Sequence, residues 1–313
     1  MPKLVVSPMA GVTDAPFRDI ALSQGADYAI SEMITSQTQL WNSAKTQQRL
    51  KNIDKQSNKI IQIAGASVDV IIEAVELCNT LNLDAIEINM GCPAKKVCNV
   101  LAGSALLKDP QLVKNILLAA VSHSKIPIYL KTRLGWNEED KNILYIANMA
   151  QDVGVQSLAI HGRTREQMYN GLASYDLIKQ VKQQLSIPVF ANGDIDSPDK
   201  AFDVLDFTGA DGLYVGRGAL GRPWIFKQIK CKLNSKLVTE PDIYTKIQII
   251  TEHIKQIHEH YEDFMGVRIA RKHMKWYLEK NPDLCVSAKE TAAKFVQLET
   301  SDSQINFIGE LLA

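Results

Sequence analysis

Eight short apolar runs recur along the chain, most of them rich in β-branched residues, with helical patterns between them. They are Leu4–Val6, Tyr28–Ile30, Ile60–Ile63, Ala85–Ile88, Ile128–Lys131, Ser157–Ile160, Val189–Ala191 and Gly212–Val215. A strand that reads as a continuous apolar run is buried on both faces, and strands separated by helices pair in parallel. Asp109-Pro110 and Ser197-Pro198 each place a capping side chain before a proline, the signature of a helix start. Eight such units over about 235 residues predict an α/β fold, a closed (β/α)8 TIM barrel rather than an open doubly wound sheet. The second unit, Ser36–Leu50, is the most weakly patterned.

Past Asn234 the strand-like runs stop. From Asp242 to Leu312 the period is helical, with Ile247, Ile250, Ile254 and Ile257 in one set and Ala292, Phe295, Val296 and Leu298 in another. Lys236–Pro241 reads as the linker. The expected organisation is a barrel over 1–235 and a small all-helical domain over 236–313.

Composition narrows the class. The 35 basic and 35 acidic residues cancel, so a polyanionic partner would need a local basic patch. No apolar run approaches the roughly 18 residues of a membrane span, and the opening MPKLVVSPMAG has too short an apolar core for a signal peptide. Cys78, Cys92, Cys98, Cys231 and Cys285 are odd in number and form no C-x-x-C pair, which argues against a disulfide framework or a structural zinc. A reduced cytoplasmic protein is expected.

Reactive groups of a parallel barrel stand at the C-terminal ends of its strands. Those ends are unusually polar here: Ser7-Pro8-Met9-Ala10-Gly11, Gln62, Asn89 with Cys92, Lys131 with Arg133, His161 with Arg163, Asn192-Gly193-Asp194, and Gly216-Arg217. Gly193 and Gly216 let backbone amides approach a ligand, and loops after the last two strands commonly bind phosphate. Asn192-Gly193 alone would also suit a hairpin turn, but the capped helix start at Ser197-Pro198 does not follow a hairpin. Lys131 either snorkels to the rim or serves an anionic ligand. His161 is either structural or, beside Gly162 and Arg163, part of a phosphate or pyrimidine contact. Cys92 has Pro93 to stiffen its turn, and an ordinary thiol is mostly protonated at neutral pH. Cys98 reads as incidental and Cys78 as core.

Eight motifs carry a close resemblance. SPMAGVTDAPFR (7–18), QIAG (62–65), NMGCPAKK (89–96), AGSALLKDP (102–110), IHGRTREQMYNG (160–171), ANGDI (191–195), GRGALGRPWIF (216–226) and RIARKHMKWYL (268–278) are similar to those of the tRNA-dihydrouridine synthases, in their bacterial B branch. The match runs through both predicted domains in order. It departs in two places: the chain starts only three residues before its first strand, and Cys98 stands where another residue is usual.

The resemblance implies an FMN-dependent, NADPH-driven reduction of the C5=C6 bond of a D-loop uridine in tRNA, with hydride delivered to C6 and a proton from Cys92 to C5. Pro8, Met9 and Ala10 would lie against the flavin, Gln62 would bond its pyrimidine edge, and Lys131 would face its N1/O2 side. At about 4 Å, such a lysine would supply roughly 4 kcal/mol of gross attraction at an effective dielectric of 20. His161, Asn192, Gly193, Asp194, Gly216 and Arg217 would surround the ribityl phosphate. Asn89, Lys95 and Arg163 would serve the substrate, with Lys96 adding a contact. A buried uridine must leave its stack to react, which demands a large docking surface. Arg268, Arg271, Lys272 and Lys275 fall on one helical face with no acid between them and would meet tRNA phosphates. A monomer with neither metal nor membrane association is expected.

Overall fold

A computed structural model describes residues 1–311 apart from 54, 55, 58 and 100, and describes neither the Lys96 nor the Asp263 side chain. Its strands are β1 (Lys3–Val6), β2 (Tyr28–Thr35), β3 (Ile60–Ala64), β4 (Ala85–Met90), β5 (Ile128–Arg133), β6 (Ser157–His161), β7 (Val189–Asn192) and β8 (Gly212–Val215). They close in sequence order, every pairing parallel, with β8 returning to β1. The predicted TIM barrel is correct. Most strands run one to two residues beyond their apolar cores, while β2 continues to Thr35 through a register shift between Ile30 and Met33.

The helices around the barrel are α1 (Ala15–Ser23), α2 (Ala44–Leu50), α3 (Val68–Cys78), α4 (Lys95–Cys98), α5 (Pro110–His123), α6 (Ile143–Asp152), α7 (Asp176–Gln184), α8 (Pro198–Thr208) and α9 (Ile225–Leu233). Asp109 and Ser197 cap α5 and α8 as expected, accepting from Leu112 N at 3.0 Å and Lys200 N at 3.1 Å. Strand alternation divides the core. Leu4, Val6, Ile86, Ile88 and Leu130 pack outward against the helices. Val5, Ile30, Ile60, Ala85, Ala159, Phe190 and Tyr214 fill the barrel interior.

The helical part comprises α10 (Ile243–Lys280), α11 (Ala288–Val296) and α12 (Ser301–Glu310). Asp242 caps α10, accepting from Thr245 N at 2.7 Å. Its helical pattern breaks at Glu262, whose φ of 62° and ψ of 175° turn the chain sharply. The two halves run side by side: His253 Nδ1 lies 2.9 Å from Tyr277 Oη. Gly266 permits the turn, since a Cβ there would sit 2.9 Å from His258 Nδ1 and 3.1 Å from its Cα. These helices share a second apolar core around Ile250, Ile254, Ala270, Met274 and Phe295, which Trp224 and Ile20 of the barrel complete. No helix among the described residues is long and apolar enough to cross a membrane.

Polar contacts dock α10 on the barrel. Asp14 caps α1 through Phe17 N at 3.0 Å and accepts from Tyr261 Oη at 2.8 Å. Lys272 donates to the Gly11 carbonyl, and Gly11 N donates to Glu32 Oε1 at 2.5 Å. The loop after β1, with Pro8, Met9 and Ala10, is thus held from the helical side.

Candidate active site

Parallel strands all end at one rim, and six of them exchange apolar for polar or side-chain-free residues at successive inward positions. Ile60 gives way to Gln62, Ala85 to Glu87 and Asn89, Tyr129 to Lys131 and Arg133, Ala159 to His161, Phe190 to Asn192, and Tyr214 to Gly216. The period of two makes this a layered interior, apolar below and polar above. The polar end opens into a cavity of about 690 Å³, a size ordinary for small-molecule sites. Pro8, Met9, Ala10, Gln62, Asn89, Cys92, Lys131, His161, Asn192, Gly193, Asp194, Gly216 and Arg217 all line it.

At its floor, Lys131 is buried and donates to Asn192 Oδ1 at 2.8 Å, while Asn192 Nδ2 donates to Tyr214 O at 2.8 Å. Burial lowers the Lys131 pKa to about 8; Glu87 opposes this and Arg133 adds to it. An anionic ligand would restore the charge. Beside it, Gln62 Nε2 and Tyr214 Oη donate to the two oxygens of Glu87 at 2.6 and 2.7 Å, and Asn89 Nδ2 donates to Gln62 Oε1 at 2.7 Å. Burial raises the Glu87 pKa, and Lys131, Tyr214 and Gln62 offset only part of that rise. Two incoming donors are the pattern of an ionised carboxylate.

Glu87 was missed by the sequence reading, which took Ala85–Ile88 as simply apolar. The available signal was a lone carboxylate two positions before Asn89, hence on the same face of β4.

Cys92 stands on a braced turn. Asn89 Oδ1 accepts from Gly91 N at 3.1 Å and Cys92 N at 2.9 Å. Arg133 Nε donates to the Gly91 carbonyl at 2.7 Å, and Ser104 Oγ to the Cys92 carbonyl at 2.8 Å. Cys98 is not incidental: its Sγ lies 3.6 Å from that same carbonyl. Gly103, at a φ of +62°, is required beneath the turn, where a Cβ would fall 2.8 Å from Cys92 O. Burial raises the Cys92 pKa, so the thiol keeps its proton at neutral pH. Cys78 is fully buried core, as expected.

On the opposite wall, Gly193 has a φ of +121°, and a Cβ there would meet Ala173 Cβ at 2.8 Å and His161 Cδ2 at 3.0 Å. The Asp194 carboxylate accepts from Arg163 Nη2 at 2.6 Å, Ala173 N at 2.9 Å and Arg217 Nη2 at 3.3 Å. Burial pushes the Asp194 pKa up, but these donors outweigh it and the net shift is downward. Burial and the surrounding cations Arg133, Lys131, Arg163 and Arg217 drive His161 far below the ordinary imidazole range, so it is neutral. Arg217 is 56% exposed and can turn to a ligand.

Several substrate expectations need correction. Arg163 does not face the cavity; it is 2% exposed, and its donors are taken by Asp194, His161 Nε2 and the Asn170 and Gly171 carbonyls. The basic face of α10 is divided. Arg268 and Lys275 are exposed, with Lys275 3.7 Å from Glu279. Arg271 donates to Leu298 O at 3.1 Å, and Lys272 is committed to Gly11. Tyr277 and His273 are buried. Lys95 is exposed on α4, and the Lys96 side chain lies outside the described residues. Tyr169 and Lys280 also line the cavity and were not foreseen. The Tyr169 ring lies 4.8 Å from the Arg217 guanidinium and 5.6 Å from that of Arg133.

The family model described as dihydrouridine synthase (Dus) matches residues 4–308. The tRNA-dihydrouridine synthase B of Pseudomonas syringae pv. tomato is 47% identical over 311 residues, covering 99% of this chain and 91% of that protein. The protein of the same name from Vibrio vulnificus is 50% identical over 280 residues, covering 89% and 87%. Among solved structures, an old yellow enzyme homologue from Zymomonas mobilis matches with a TM-score of 0.52 at 12% identity, over 78% of this chain and 92% of that one. That likeness speaks to the fold alone. The extent and identity of the sequence matches show that the chain belongs to the dihydrouridine synthase family, in its bacterial B branch.

Proposed function

We propose that this protein is a tRNA-dihydrouridine synthase that uses FMN and NADPH to reduce the C5=C6 bond of a D-loop uridine. One observation carries the reading: a single cavity joins the protonated Cys92 thiol, the Gln62–Asn89–Lys131 edge, and the Gly193 cradle with Arg217.

The residues fit FMN. Lys131 spends one of its three N–H donors on Asn192, leaving capacity for an anionic edge. Gly193 tolerates no side chain, and Gly218 none either, since a Cβ there would lie 2.1 Å from Ile195 O. Such glycines let the backbone approach a phosphate, and Arg217 adds charge. Pro8, Met9 and Ala10 would form the wall against the ring and His161 and Asn192 would lie along the ribityl side, while Asp194 orients Arg217. When bound, the flavin supplies hydride to uracil C6.

The chain's own residues supply the rest. Asn89 orients the base or flavin edge, and the Cys92 thiol delivers a proton to C5, a step typically contributing about 10² to 10⁴ in rate. Lys131 stabilises negative charge on the cofactor's pyrimidine edge. We divide the chain between residues 235 and 236, within the segment joining α9 to α10. The helical part guides the tRNA, chiefly through Arg268 and Lys275, while Lys95 contacts nucleotides beside the target.

The test is direct. The purified protein should be yellow, and with NADPH it should form dihydrouridine in unmodified tRNA. A colourless chain unable to take up FMN overturns the assignment. Equal turnover of free uridine would favour an FMN barrel acting on a small pyrimidine.

A further inference from the structure

Glu87 is fully buried in the barrel, and the proposed reaction makes no use of it. It begins an unbroken chain: Glu87 to Gln62, Gln62 to Asn89, and Asn89 to the backbone N–H groups of Gly91 and Cys92. Each link constrains the next. A carboxylate only accepts, so Gln62 must turn its amide NH₂ toward it. The Gln62 carbonyl then faces Asn89, which must present its own NH₂. What remains is the Asn89 carbonyl, directed at the Cys92 turn. Neither amide has an intrinsic preference; if inverted, Asn89 would point donors at donors and release the turn.

We propose that Glu87 is a positioning residue that, acting through Gln62 and Asn89, sets the direction of this hydrogen-bond chain and so holds the Cys92 turn. Its catalytic importance rests on Cys92 being the proton donor, but the chain of constraints does not. A carboxylate that only balanced the Lys131 charge would have no need of Gln62. A purely packing role would not depend on which end of each amide faces which neighbour.

The experiment measures alkylation of Cys92 by iodoacetamide in the purified flavin-containing protein, followed at the Cys92 peptide by mass spectrometry. Glu87→Gln lets residue 87 offer either a donor or an acceptor to Gln62, removing the fixed direction. Alkylation should accelerate about fivefold, the weight of one hydrogen bond. Gln62→Met cuts the chain while keeping the buried carboxylate and should give the same rise, which also covers the case of a Glu87 variant that does not fold. In an Asn89→Ala background, Glu87→Gln should add less than about twofold, because neighbours acting in one network are not additive. On tRNA, kcat should fall in both single variants with KM held. Unchanged alkylation in Gln62→Met, or effects that multiply fully in the Asn89→Ala background, overturns the proposal. If alkylation behaves as stated but the unaltered protein forms no dihydrouridine, the positioning role stands and the functional reading fails.

Discussion

Cys92 and the glycine cradle make separable demands on the site. Cys92→Ala should keep the flavin absorbance and tRNA binding yet lose at least about 10² in turnover, measured as dihydrouridine formed per enzyme. Gly193→Ala should instead lose flavin, because the new Cβ would press on Ala173 and His161 at a backbone angle that disfavours side chains. FMN titration by fluorescence quenching separates the two: normal FMN affinity in Gly193→Ala would remove the cradle from the site. The polar strand ends were readable one by one, since each terminates an apolar run. Glu87 was not, because an apolar run tolerates one carboxylate without losing its appearance, and only the paired donors of Gln62 and Tyr214 explain it. Arg163 was misread for the opposite reason. Its sequence neighbours suggest a ligand, whereas its carboxylate partner, Asp194, lies 31 residues away.

Among elements, the contact between α1 and α10 carries a pH signature. Burial raises the Asp14 pKa to about 6 from an ordinary 3.8; Phe17 N and Tyr261 Oη only partly offset this. The folded chain therefore holds this proton where the unfolded chain has lost it. The stabilisation is complete below about pH 4 and disappears as pH rises through 6, a swing of roughly 2–3 kcal/mol. Asp14→Asn keeps the helix cap and should flatten the urea-unfolding free energy in that window; an unchanged pH slope would exclude Asp14 as its source. The kink at Glu262 was invisible to periodicity, which runs on through Ile254 and Ile257 and resumes after it. A close approach between His258 and Gly266 decides it, not a local breaker.

For the whole molecule, the proposed function requires a chain of zero net charge to meet tRNA through a few exposed cations. Arg268→Ala and Lys275→Ala should each lower the slope of log affinity against log salt by about 0.7–0.9. Lys272→Ala should leave that slope nearly unchanged and lower the melting temperature, since its ammonium is spent on the Gly11 carbonyl between the helical part and the barrel. Filter binding across a salt series distinguishes them; a full loss of slope in Lys272→Ala would return it to the tRNA surface.

Local pattern was sufficient for the eight-strand parallel barrel, the capped starts of α5 and α8, the helical C-terminal part and the rim on which chemistry would gather. All of these follow from residue period and from the shared direction of parallel strands. Which polar groups remain free for a ligand came from contacts between segments distant along the chain. Arg163 is bound to Asp194, Arg271 to Leu298 and Lys272 to Gly11, while Arg217 and Lys131 keep capacity to spare. A hydrogen bond or ion pair depends on separation in space, and no short window of residues carries that distance.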